Sequence, residues 1–217
     1  MIRISSLLFF LGFLQSQNYP DLEILHFDNP HSSSLFVHTM SEDNRFMAII
    51  DSGLDVQWHV RSNHMGLDFK VNQNYLTYYN KIEGSWILAN EMMNEVDTLM
   101  CEGPYVADYH DIQILENGNY LLQAYDSSFV DMSTIIDGGQ SVAWITGILV
   151  IQMFDTNHEL ISQWNAWDHL DISQYTNLNL QSDAIEWMHG NSIEWVGNNQ
   201  ILVSNRASNE ILKIDLQ

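Results

Sequence analysis

The chain has 217 residues, with 28 acidic against 7 basic side chains, a formal net charge of −21 and a pI near 4.3. Binding to nucleic acid needs clustered Lys and Arg to neutralise phosphates, so that partner class is excluded, and an anionic membrane surface is disfavoured for the same reason. Hydrophobic residues make up 46% of the chain, enough to bury a core, and the single cysteine, Cys101, cannot form an internal disulfide.

Arg3, an apolar run from Ile4 to Leu14 and a short polar stretch with a small residue at Ser16 have the layout of a secretory signal peptide. The run is far short of the roughly 20 residues that cross a bilayer as a helix. Residues 1–17 are therefore read as a removable leader and residues 18–217 as one β-propeller domain. The expected location is secreted or periplasmic, with no membrane span.

From Tyr19 onward, short runs alternate apolar and polar residues between Asn, Gly and Asp, which predicts many short antiparallel strands and almost no helix. Ile112–Leu115 and Tyr120–Tyr125 flank Glu116, Asn117, Gly118 and Asn119, and Asn-Gly favours a hairpin because both residues tolerate positive φ. One unit recurs from His64 to Tyr75, from His110 to Tyr120 and from His189 to Gln200: histidine, strand, Asn-rich turn, strand. A second unit recurs from Ile49 to Trp58 and from Met153 to Trp164: strand, aspartate turn, and a strand ending in tryptophan.

Two hairpins per repeat make four strands, and the 46 residues from His64 to His110 suit a propeller blade of roughly 40 to 50 residues. The fold class is thus all-β, built of propeller blades. The longer interval to His189 predicts two insertions, 126–146 and 168–188, on one rim of a blade. Residues Glu210 to Gln217 repeat the strand and aspartate of the second unit without its tryptophan strand. Either residues 22–27 supply the missing strand and close a ring of about four blades, or the chain is an incomplete propeller of about three to four blades within a longer one. The second is the preferred expectation. Histidines opening the first strand of each blade would meet at the central channel.

Three segments carry a family resemblance: Tyr109 to Leu122, beginning Tyr-His-Asp; Trp164 to His169, Trp-Asn-Ala-Trp-Asp-His; and Met188 to Trp195, containing His-Gly-Asn, followed by Ile201 to Arg206. In order and spacing they resemble the arylsulfotransferase family. That resemblance implies a six-bladed propeller with its site at the channel. It also implies transfer of a sulfuryl group from a phenolic sulfate ester to a phenol through a sulfated histidine, without a nucleotide donor. By position, it assigns catalytic roles to His110 and His189 and substrate-binding roles to Asn191 and Arg206. No residue here matches the family's nucleophilic histidine, which is expected in a later blade. Gly197-Asn198 and Asn205 depart from the family pattern at turn or rim positions.

The chemistry is compatible with these residues, since sulfuryl transfer needs donors on the equatorial oxygens and an acid for the leaving oxygen. Between Glu83 and Leu212, Arg206 is the only Lys or Arg, and histidine can exchange acid and base roles near neutral pH. The alternative for Arg206 is a pair with Glu210, and His64, His110 and His189 could be structural. Asp168, His169, Asp171 and Asp183 fit no cation loop and are read as a rim hydrogen-bond network; no metal and no cofactor are expected. Most tryptophans, including Trp58 and Trp164, are read as blade packing. The implied partners are a small aryl sulfate and a phenol. The competing reading is a secreted, non-catalytic propeller that binds a partner on its rim. A quinone-dependent propeller dehydrogenase is a weaker third, lacking an identifiable cofactor-stacking pair and metal ligands.

Overall fold

Runs rich in Ile, Val, Leu, Phe and Tyr, separated by Asn, Asp and Gly turns, form fifteen strands in the computed structural model, which describes residues 32–39, 45–62 and 65–216 with isolated positions from Tyr19 to Asp28. The expected leader and His64 lie outside the described residues, as do 22, 24 and 27 of the segment considered for ring closure. The strands fall into four successive sheets. The first is β1 (Leu35–His38), β2 (Phe46–Ile50) and β3 (Val56–Arg61). The second is β4 (Met65–Asn72), β5 (Tyr75–Asn80), β6 (Ser85–Ala89) and β7 (Glu95–Leu99).

The third sheet runs β8 (Ala107–Ile114), β9 (Tyr120–Val130), β10 (Ala143–Phe154) and β11 (Leu160–Asn165), with β12 (Ala184–Glu186) added in parallel to β10. The fourth is β13 (Gly190–Gly197), β14 (Gln200–Asn205) and β15 (Glu210–Asp215). Pairing along each path is antiparallel between sequence neighbours, the meander of a propeller blade. Strands β1, β4, β8 and β13, which open the four sheets, pack successively against one another. The fold is all-β with blade-like sheets, and the single α-helix among the described residues, α1 (Ala166–His169), has four residues.

Side-chain amides and carboxylates join the opening strands across sheet boundaries. Asn72 of β4 donates to the Ile112 carbonyl at 2.9 Å and accepts from the Ile114 N–H at 3.2 Å. Asp111 and Gln113 of β8 accept the N–H groups of Ile193 and Trp195 on β13, the first at 2.8 Å. These bonds satisfy backbone groups that the meander leaves unpaired, and they fix the relative height of neighbouring blades. Trp58 lies opposite Ile49, and Trp164 opposite Ile151 in the equivalent hairpin, so both are packing residues of the repeat.

The two segments expected as rim insertions have more structure than that description. Residues 126–130 and 143–146 prolong β9 and β10 beyond the blade, and β12 extends this sheet by one strand. Beneath it, Met132, Ile172, Leu180 and Ile185 are buried with Trp187, whose ring meets Trp167 and Tyr175 edge to face at 5.4 and 5.6 Å. The added strands therefore rest on their own apolar underlayer, continuous with the core of the blade.

Candidate functional site

The opening strands are bulged where the chemistry-bearing residues lie. Pairing slips between Met65 and Lys70 in β4, between Ala107 and Ile112 in β8, and between Gly190 and Ser192 in β13. A bulge leaves residues outside the ladder and re-aims their side chains. Asp68, the segment Asp108 to Asp111, and Asn191 occupy these interruptions, so residues scattered over 124 positions come to one end of adjacent strands.

His110 and His189 meet there, with ring centroids 5.0 Å apart at an interplanar angle of 68°. Each ring is oriented through Nδ1 by a carboxylate at 2.6 Å, His110 by Asp108 and His189 by Glu186. A carboxylate on Nδ1 selects the tautomer carrying that proton, so Nε2 is left as the working nitrogen, a base when neutral and a donor when protonated. The Nε2 of His189 is buried with no hydrogen-bond partner among the described residues. Tyr109 stacks on His110 at 4.3 Å, and the Tyr125 ring lies 5.9 Å from His189.

A buried amide holds the two histidine segments together. Asp108 Oδ1 accepts from the His110 backbone N–H at 3.0 Å, from His110 Nδ1, and from Gln123 Nε2 at 2.9 Å. Gln123, fully buried on β9, also reaches the Gly190 carbonyl at 3.4 Å, which accepts from the Tyr125 hydroxyl at 2.7 Å. Glycine at 190 is a requirement of space: a Cβ there would lie 2.6 Å from Gln123 Oε1 and 3.0 Å from Leu149 Cδ1. His189 itself holds a left-handed backbone, φ 61°, and its carbonyl accepts the Arg206 N–H at 2.9 Å. Burial and the Asp108 charge push the Tyr125 phenol far above its ordinary range, so it stays a neutral donor.

Arg206 does not pair with Glu210. Its guanidinium contacts both oxygens of Glu186, at 3.0 and 3.2 Å, while its side chain remains 59% exposed. Glu186 thus bridges Arg206 and His189. Partial burial raises its carboxyl pKa, but the hydrogen bonds from His189 and Arg206 outweigh that and hold it below the usual glutamate value. Asn191 lies in the β13 bulge, half-buried, between Gly190 and Ser192.

Lys70, which the motif comparison does not single out, joins this neighbourhood from the preceding blade. Its ammonium contacts Asp111 and lies 2.6 Å from Asp68. Burial lowers the Lys70 pKa, yet the bonds to the two carboxylates prevail and raise it. Burial dominates at Asp68, whose pKa is raised despite Lys70, with opposed contributions from Asp111 and His110. The hub therefore holds two fixed cations, Lys70 and Arg206, among the four carboxylates Asp68, Asp108, Asp111 and Glu186. It carries two net negative charges when both imidazoles are neutral and none when both are protonated.

Residues 22–217 match the family described as Arylsulfotransferase (ASST). The chain belongs to that family. Among curated proteins none matches the chain. A crystal structure of a protein of unknown function from Bacteroides caccae is similar at 12% identity and a TM-score of 0.40 over 85% of this chain. The chain spans 58% of the length of that protein.

Elsewhere, two of the four residues weighed for a cation have partners of their own: Asp171 caps a short turn by accepting the Ser173 N–H at 2.9 Å, and His169 stacks on Trp164 at 5.3 Å. Burial pushes the Cys101 thiol up to about 12, which suppresses the thiolate that nucleophilic chemistry would need. No helix among the described residues is long and apolar enough to cross a membrane.

Proposed function

We propose that this chain binds an aryl sulfate ester at the His110, His189 and Arg206 hub and takes part in moving its sulfuryl group to a phenol, in a secreted or periplasmic setting. One observation carries the reading: two imidazoles in edge contact, each oriented by a carboxylate through Nδ1, with a guanidinium on the same carboxylate as one of them. In the net reaction the donor S–O bond breaks, a new S–O bond forms to the acceptor oxygen, one phenol gains a proton and the other loses one. His110 and His189, through Nε2, would supply and remove that proton, and the guanidinium N–H groups not turned to Glu186 would hold sulfuryl oxygens, with Asn191 beside them.

The test is release of 4-nitrophenol from 4-nitrophenyl sulfate in the presence of phenol by the full chain. His110→Ala and His189→Ala are each expected to lower it by at least ~100-fold, the size of a general acid–base contribution. Release indifferent to both changes overturns the reading. Tight binding of the ester without release, lost in Arg206→Ala, would instead favour a binding module.

A further inference from the structure

The prolonged β9–β10 hairpin carries an aromatic pair whose place in the sheet links it to the hub. Phe129 lies opposite Trp144, with ring centroids 4.5 Å apart. In the parallel pairing of β10 with β12, Trp144 is level with Ala184 and Thr146 with Glu186. Residues directly paired across a sheet share a face, and so do residues two apart on one strand. Phe129, Trp144, Thr146 and Glu186 therefore lie on one face. Exposure agrees: Ile145 and Ile185, which alternate with them, are buried, whereas Phe129 is 69% exposed and Glu186 is open to solvent.

Trp144 and Thr146 are two residues apart, roughly 7 Å along the strand. The aromatic pair is thus one rung from the carboxylate that holds both His189 and Arg206. Apolar rings of this size are normally buried or given to a ligand, yet Phe129 is exposed and Trp144 only half-buried, and neither belongs to the blade core or the underlayer, which lies on the opposite face. In a protein of net charge −21, a neutral planar ring is also the ligand part least opposed by the surrounding field.

We propose that Phe129 and Trp144 form an aryl platform that selects acceptors or donors with more than one aromatic ring, the first ring carrying the reacting oxygen at the hub and the second resting on the pair. This rests on the sulfuryl-transfer reading for the position of the first ring, and it adds an aryl contact outside the hub.

The experiment measures dissociation constants of the full chain for 2-naphthyl sulfate and phenyl sulfate by isothermal titration, alongside the Phe129→Ala, Trp144→Ala and Ile82→Ala variants. The wild-type chain is expected to prefer the naphthyl ester by about tenfold, the scale of a good aromatic contact, and each platform variant to lose most of that preference. Ile82→Ala removes an equally exposed apolar side chain from the β5–β6 turn and should leave the ratio unchanged. Phe129 is exposed enough that its removal cannot unfold the blade, so it carries the test if Trp144→Ala proves unstable. Equal affinity for the two esters, or a preference that survives Phe129→Ala, overturns the platform. If neither ester binds, or if binding ignores Arg206→Ala, the hub reading fails with it; an Arg206-dependent site without ring preference refutes the platform alone.

Discussion

Asp108 is the most demanding test of how the hub is held. It is 8% exposed, and one oxygen accepts from the His110 N–H, His110 Nδ1 and the Gln123 amide. In Asp108→Ala the backbone N–H and the fully buried Gln123 amide both lose an acceptor, each at about 1–3 kcal/mol, while the partly exposed imidazole can turn to water. A loss of about 3 kcal/mol follows, which for a chain of this size lowers Tm by roughly 6–12 °C. Asp108→Asn keeps an acceptor oxygen of the same shape but not the charge, so it should cost about 1 kcal/mol. Because Asp108 orients His110 without touching the ester, Asp108→Asn should lower sulfuryl transfer by up to ~100-fold while leaving ester affinity nearly unchanged. Urea unfolding, nitrophenol release and ester titration on the two variants together measure these effects. An Asp108→Ala protein melting within about 2 °C of wild type would refute the claim that this oxygen holds the segment together.

Glu186 has a lowered carboxyl pKa, so its pairing with His189 and Arg206 contributes stability above the ordinary glutamate value of about 4.3 and loses it as pH falls through the native value. The difference between wild type and Glu186→Gln should be under about 1 kcal/mol at neutral pH, the pair being half exposed, and shrink below about pH 4 in urea titrations; a flat difference contradicts the pairing. Gly190→Ala forces a Cβ against Gln123 Oε1 and Leu149, and should destabilise the chain by about 1–3 kcal/mol and lower ester affinity, read by thermal melts and titration.

The blades were legible in the sequence because their signal is local. A period of two in the strands and an Asn-Gly or Asp turn every few residues determine hairpins from neighbouring residues, and Glu116 to Asn119 does join β8 to β9. The pairing of His110 with His189 was also accessible, because a repeated position in a radial array returns to the same depth. What the sequence hid was set by register between distant strands. Lys70 was overlooked because a window of sequence around Arg206 cannot contain a cation delivered by the preceding blade. Glu186 was overlooked because its segment reads as an irregular insertion until parallel pairing with β10 puts it beside His189 and Arg206. The same pairing makes part of the expected rim insertions a sheet extension, and makes an apparently unremarkable Phe and Trp, fifteen residues apart, neighbours on the face that carries Glu186. Hydrophobic alternation records which face of a strand is buried but says nothing about which other strand lies alongside, and a side-chain cluster assembled from bulges and sheet edges depends on the latter.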